Sequence, residues 1–340
     1  MPGQFDLVAF GNPLLDMQIR DGEEVLKKYN LKSNDAILAE ESHQSIYEHI
    51  VEKYDVVYVA GGAAQNTARC AQYVLPENST AYLGCVGDDD LAQQLRAAND
   101  KEGLRSAYQV NKALPTGSCA AIISGHDRSL VTRLGAAESF SKAHLETPEV
   151  KKLIAEAKFF YMGGFFVTHG AESGLIIAKQ AKANGVPFSL NLSAPFIPQF
   201  FSQQLDSILP YASLVIGNES EAVAYAEAHS YGTSDLKAIA EKLAASPSEL
   251  QGARTVIITH GSEPTIVVEG GRTREIETAK IASEDIVDTN GAGDAFAGGV
   301  VGALILGKSI EEAVKVGQKL GGMCIGQVGP CLKFPKEQII

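Results

Sequence analysis

The 340-residue chain lacks the usual marks of a secreted, membrane or nucleic-acid-binding protein. Its five cysteines (Cys70, Cys85, Cys119, Cys324 and Cys331) are odd in number and show no C-x-x-C spacing. Reduced thiols are therefore expected, not a disulfide framework or a zinc site. The seven histidines are scattered, with no H-E-x-x-H pair. No apolar run reaches the ~18 residues of a membrane span. The opening MPGQFDLVAFGN has no basic region followed by a long apolar one. No secretory signal is expected, and the expected compartment is the cytoplasm, with the nucleus also open. Basic residues are in deficit: 29 Lys and Arg stand against 41 Asp and Glu, a net charge of −12, with no long basic run. A nucleic-acid or anionic-membrane partner is not expected. A single phosphate group is not excluded, because a few local donors can hold one.

Two nucleotide-binding signatures are absent as well. Gly302 to Ser309 matches the expression G-x-x-x-x-G-K-[ST], but its middle residues, Ala-Leu-Ile-Leu, continue an apolar helix. A phosphate-wrapping loop needs a preceding strand and small or polar residues there. Gly307 reads as a helix end, and Ser309-x-x-Glu312 as the capping box of the next helix. Gly291-x-Gly293 lacks the third glycine of a dinucleotide fingerprint and falls late in the chain. No internal repeat, low-complexity segment or linker is evident.

Short β-rich runs alternate with helical patterns. Leu7–Phe10, Val56–Val59, Ala81–Leu83, Phe159–Met162, Phe188–Asn191, Leu214–Ile216 and Val256–Thr259 are the strand candidates. Helix-like stretches include 173–184, 220–229 and 236–245. Apolar runs without strict alternation suggest strands covered on both faces. The expectation is an α/β fold with a mostly parallel sheet between helix layers. Residues 17–60 and 115–135 are more polar, with strand-like pieces at Ala36–Ala39 and Ser118–Ser124. They read either as one small inserted domain or as two surface excursions. Ligands of open parallel sheets sit at the strands' carboxyl ends. Here those ends carry Gly11-Asn12, Gly61-Gly62, Gly163-Gly164, Asn191, Gly217-Asn218, Thr259 and Gly261.

The most informative stretch is Asp288-Thr-Asn-Gly-Ala-Gly-Asp294-Ala-Phe296. It joins a glycine-rich turn to a long apolar helix. A helix start offers unpaired N–H groups and a positive dipole end, which suit a phosphate. A carboxylate at the same place repels that anion, so Asp294 makes sense as a base for a hydroxyl that attacks it. The ordinary alternative is an acidic residue favoured in the first turn of any helix. Other candidates have ordinary alternatives too. Asn12 and Asp16 suit vicinal hydroxyls, or form an Asn-Pro turn beside a solvated acid. Gly62 permits close approach to the backbone, with Asn66 one turn on, or is simply a tight turn. Glu221 could order Mg²⁺ waters, while Asn218 and Glu221 also form a good capping box. Arg128 is a candidate phosphate clamp, or a solvated loop residue.

Taken in order, these motifs resemble the ribokinase-like family of carbohydrate and nucleoside kinases, with D-T-x-G-A-G-D present as Asp288 to Asp294. The resemblance spans nearly the whole chain. It is closer still to the members whose acceptor is adenosine, through GNPLLD (Gly11 to Asp16), NDAILAE (Asn34 to Glu40), GGAAQN (Gly61 to Asn66), TGSCAA (Thr116 to Ala121), DRSL (Asp127 to Leu130), GFF (Gly164 to Phe166), NLSAPFI (Asn191 to Ile197) and NESEA (Asn218 to Ala222). It implies a three-layer sandwich with a mostly parallel central sheet plus a small β-rich lid. Residues 1–16, 61–114 and 136–340 would form the large domain, and 17–60 and 115–135 the lid. The implied reaction moves the ATP γ-phosphate to the adenosine 5′-hydroxyl. Asp294 would be the base, Gly291, Ala292 and Gly293 the anion hole, and Arg128 the clamp. Asp16, Gly62 and Asn66, with Asn12 nearby, would hold the ribose. Phe166 would flank the adenine, with Leu14, Ile37, Leu130, Cys119 and Phe196 around it. Asn218, Thr259, Gly261 and Asn290 would serve the nucleotide, and Glu221 the Mg²⁺. K⁺ near the anion hole and a monomeric state complete the implication. Two departures are Ala63, where many relatives carry Ser, and His126, where Asp is expected.

Overall fold

The computed structural model describes residues 5–33, 36–124 and 127–340, the side chains of Ala36, Asp127 and Arg128 excepted. Fourteen strands are present among these residues: β1 (Leu7–Phe10), β2 (Leu14–Arg20), β3 (Ala36–Leu38), β4 (Val57–Gly61), β5 (Thr80–Val86), β6 (Leu104–Val110), β7 (Ser118–Ser124), β8 (Asp127–Arg133), β9 (Phe159–Gly163), β10 (Phe188–Asn191), β11 (Leu214–Asn218), β12 (Thr255–His260), β13 (Glu263–Glu269) and β14 (Arg272–Ile276). Nine of them form the large sheet, in the order β14-β13-β12-β11-β10-β9-β1-β5-β6. From β6 across to β12 every pair is parallel. Only β13 and β14 run antiparallel, as hairpins at one edge.

Alternation along each strand builds two cores, one on each face. Val8 and Phe10 point to one and Leu7 and Ala9 to the other; Phe160 and Met162 oppose Phe159 and Tyr161 in the same way. This is the period-2 consequence of the pleat. The first face is covered by helices such as Val167–Asn184 and Leu236–Ala244, through Ile177, Ala181, Ile239 and Leu243. The second is covered by Ala63–Val74, Ala292–Ile305 and Ile310–Ile325, through Ala64, Ala68, Val300 and Val314. The arrangement is a three-layer α/β sandwich.

The remaining strands form a second sheet, β3-β8-β7-β2-β4. Its own core is Met17, Ile19, Val25, Ile46, Tyr47, Ile50, Ala120, Ile122 and Val131. The two sheets meet at short connections: β1 reaches β2 through residues 11–13, and β4 runs into the helix Ala63–Val74 through Gly62. Gly62 has φ 87°, and a Cβ there would lie 2.2 Å from the Asn12 carbonyl oxygen. Only glycine fits that close approach. The Gly302–Ser309 stretch behaves as expected of a helix end: Gly307 has φ 77°, and Ser309 and Glu312 form a capping box. All five cysteines are free thiols. No described helix is long and apolar enough to cross a membrane.

Candidate active site

A cavity of about 690 Å³ opens where the carboxyl ends of the large sheet face the small sheet. Strand ends bring Gly11, Asn12, Gly163, Asn191, Gly217, Asn218 and Thr259 to its wall. The small sheet contributes Leu14, Asp16, Ile37, Cys119 and Leu130, and the helix starts contribute Gly62, Asn66, Asn290, Gly291, Gly293 and Asp294. Asp16 is a residue of β2 and so belongs to the small sheet.

Asp294 sits in the first turn of the helix Ala292–Ile305, whose N-cap Gly291 is left-handed at φ 80°. Asn66 Nδ2 donates to Asp294 Oδ2 at 3.0 Å. Burial pushes the Asp294 carboxyl up to about 7; the Asn66 bond pulls it down, and the nearby Asp16 and Glu221 push it up again. The turn before it is pinned by Asp288, which accepts from the amides of Asn290 and Gly329, each at 2.9 Å. First-turn amides have no acceptor within their own helix, and Gly291 and Gly293 both line the wall. The N–H of Ala292 instead donates to the Thr289 carbonyl at 3.3 Å, and Ala292 is off the wall.

Asn66 is itself held. Its Oδ1 lies 3.5 Å from Arg69 Nη1, and Arg69 makes a bidentate pair with Glu102 at 2.9 and 2.6 Å. The same guanidinium donates to the carbonyl of Ala60 in β4 at 2.8 Å. Across the cavity, Asn218 caps the helix Glu219–Ala228. Its Oδ1 accepts from the Glu221 amide at 2.9 Å, while Glu221 Oε2 accepts from the Asn218 amide at 3.0 Å. Burial pushes the Glu221 carboxyl up to about 7, against the pull of the Asn218 amide. The capping role and a place on the cavity wall thus coexist in one residue.

No three His, Cys, Asp or Glu side chains among the described residues lie close enough to cage a metal. A buried carboxylate already bound to a backbone amide suits Mg²⁺ that keeps its waters and takes phosphate oxygens as further ligands.

The two phenylalanines of GFF take different places. Phe166 reaches the wall but is fully buried, edge-on to Phe10 at 5.5 Å and Phe140 at 5.4 Å. Phe165 is half-buried on the wall and lies 5.9 Å from Phe196, which lines it too. Gly261 is in the turn after β12, away from the wall. Arg128 falls in β8 opposite Ile123; its side chain, like His126, lies outside the described residues. Sequence reasoning quoted Phe165, Ser193 and Asp288 within motifs but gave none of them a role of its own. Ser193, at φ 68°, accepts from the Gly164 amide at 2.8 Å and closes the strand-end turn. The doubled phenylalanine was the only available sign of Phe165.

The family model described as pfkB family carbohydrate kinase matches residues 25–337. The adenosine kinase of Schizophyllum commune is 54% identical over 99% of both chains. That of Schizosaccharomyces pombe is 46% identical over 97% of this chain and 98% of its own. The crystal structure of Anopheles gambiae adenosine kinase in complex with P1,P4-di(adenosine-5) tetraphosphate superposes with a TM-score of 0.90, at 41% identity over 95% of this chain and 96% of that one. Schistosoma mansoni adenosine kinase in complex with 2-fluoroadenosine gives 0.90 at 35% identity over 98% of each chain.

Proposed function

Since the chain belongs to the pfkB family of carbohydrate kinases, we propose that it transfers the γ-phosphate of ATP to the 5′-hydroxyl of adenosine, giving AMP and ADP. The observation that carries this reading is Asp294: a carboxylate with its pKa raised to about 7, at a helix start, in a cavity shared by both sheets. Relatives at 46–54% identity over nearly full length are adenosine kinases, which supports adenosine as the acceptor.

In this reading Asp294 takes the proton of the attacking hydroxyl, and Asn66 holds it in place. A base with a pKa near the working pH is both ionised and strong enough to help. The amides of Gly291 and Gly293 receive the charge of the moving phosphoryl group, whose transfer needs positioning and charge stabilisation. Asp16, Asn12 and Gly62 face the ribose. Phe165, Phe166 and Phe196, with Leu14, Ile37, Cys119 and Leu130, supply apolar walls for a purine. Asn218, Asn290 and Thr259 meet the donor, and Gly261 lies further along it. Arg128 belongs to the strand from which a clamp would reach. Glu221 would hold Mg²⁺, which would supply neutralisation of the phosphate charge. Closure of the small sheet over the acceptor excludes water.

The test is ADP formation from Mg²⁺-ATP with adenosine, ribose, fructose or no acceptor. Adenosine-dependent turnover well above the others is expected. Robust sugar phosphorylation without adenosine turnover would replace the acceptor, and tight adenosine binding with no turnover would make the chain a nucleoside-binding protein.

A further inference from the structure

His169 stands one layer behind the wall and has no place in the reading above. It lies in the first turn of the helix Val167–Asn184, just before an interruption at Gly170 (φ −106°, ψ 15°). Its ring packs edge-on against Phe166, centroids 5.3 Å apart at 76°. Its Nε2 is 2.8 Å from Oδ1 of Asn12, a wall residue only 7% exposed. Its Nδ1 is buried and has no partner among the described residues. Burial pushes the imidazole down to about 4, so the ring is neutral near pH 7 and carries one N–H.

The position of that proton decides which way Asn12 faces. On Nδ1 the proton would be a buried donor without an acceptor, and the Nε2 lone pair would need the Asn12 amide turned round to meet it. On Nε2 the proton is donated to Asn12 Oδ1, and only a lone pair is left unused at Nδ1. Orphaned buried N–H groups are rarer than under-used acceptors, and leaving a buried donor unmade is costly. The Nε2–H form follows. Asn12 Oδ1 is then spent on the protein side, and the amide NH₂ is turned to the cavity as a donor. Asp16 on the same wall is an acceptor when ionised. A hydroxyl between the two donates to one and accepts from the other.

We propose that His169 is a positioning residue that fixes the Asn12 amide as a donor toward the sugar hydroxyls of the nucleoside acceptor. The substrate role rests on adenosine being that acceptor; the proton position does not.

Two measurements test it. Long-range ¹⁵N–¹H correlation of the histidine rings, with the His169 signal identified by its loss in His169→Gln, reports the tautomer without any substrate. A protonated Nε2 and bare Nδ1 are expected, and the reverse overturns the inference. Kinetics then follow His169→Leu, His169→Gln, Asn12→Ala and the double variant Asn12→Ala/His169→Leu, with circular dichroism to check folding. One buried hydrogen bond shifts binding up to about tenfold. His169→Leu should raise KM for adenosine by about that factor with kcat within about twofold, the pattern of lost uniform binding. The same substitution should narrow the preference for adenosine over 2′- or 3′-deoxyadenosine. His169→Gln, which can offer an N–H near the same place, should recover most of the loss. On the Asn12→Ala background, His169→Leu should add little. Additive losses, or Gln no better than Leu, would reduce His169 to packing. Failure of the wild type to use adenosine would sink the proposed function and leave the tautomer to decide this inference.

Discussion

Replacing Asp294 with Asn should make the protein more stable and nearly inactive, and the gain should depend on pH. Burial holds the Asp294 carboxyl at about 7 in the fold, against an ordinary 3.8. Between those values the native state binds a proton that the unfolded chain does not. Stability therefore falls as pH rises from about 4 to about 7, and stays low above that. At about 1.4 kcal/mol per pH unit, keeping the charged carboxylate above pH 7 costs up to about 4 kcal/mol. Asn keeps an oxygen for the Asn66 donor. It gives up a favourable first-turn charge worth about 0.3–1 kcal/mol. The net gain is roughly 2–4 kcal/mol at pH 8 and less than half of that at pH 5. Urea unfolding of both proteins at the two pH values measures it. In the wild type, kcat/KM for the acceptor should rise with unit slope up to about pH 7 and then level. In the variant, kcat should fall by about 10²–10⁴. An equal gain at both pH values would remove burial of the charge as its cause. Retained turnover would remove Asp294 from proton transfer.

Phe165→Ala should raise KM for adenosine about tenfold, because half of the aromatic pair proposed to flank the purine is lost. Equal KM values would place the purine elsewhere on the wall. Glu221→Gln should raise the Mg²⁺ concentration needed for half-maximal rate while leaving adenosine binding, followed by calorimetry, unchanged. Glu102→Ala should lower unfolding stability by roughly 3 kcal/mol, because Arg69, 7% exposed, loses both of its carboxylate contacts. Arg254→Met should cost at least about 3 kcal/mol in urea unfolding. That guanidinium is 1% exposed and donates to the carbonyls of Leu209, Ala212, Leu243, Ser246 and Pro247.

Much of the sandwich was legible because its signals are local. The run Leu7-Val-Ala-Phe10 has no polar face, and a strand with no polar face must be covered on both sides; its residues do divide between two cores. The box at Asn218 and Glu221 and the one at Ser309 and Glu312 needed only a three-residue spacing. The hairpin β13–β14 carried a mark that the sequence reading passed over: Gly270-Gly271, with φ 56° and 75°, is a two-residue turn suited to joining antiparallel strands. The site was legible in residue type and much less so in direction. Which phenylalanine of GFF turns inward is set by a short 3₁₀ turn, Gly164–Phe166, where neither the period of 2 nor that of 3.6 applies. The hydrogen bond from Asn66 spans 228 residues and that from His169 spans 157. No spacing rule reaches across such separations, so these bonds appear only once the sheet has brought its strand ends together.

Three carboxylates, Asp16, Glu221 and Asp294, face one cavity, and their mutual repulsion adds to burial in raising Asp294. This is unfavourable for the fold and useful for the proposed chemistry, and the two are one quantity. A carboxyl at 3.8 would be ionised at neutral pH but a feeble base toward a sugar hydroxyl. Raising it to about 7 increases its proton affinity by about three orders of magnitude, and the same displacement is the cost of up to about 4 kcal/mol above pH 7. Water reaching Asp294 would relieve both together. A substitution that stabilises the native state at pH 8 by wetting this carboxylate must therefore lower the pH at which kcat/KM levels off. One that stabilises the fold from a distance, without touching the cavity, must leave that pH where it was.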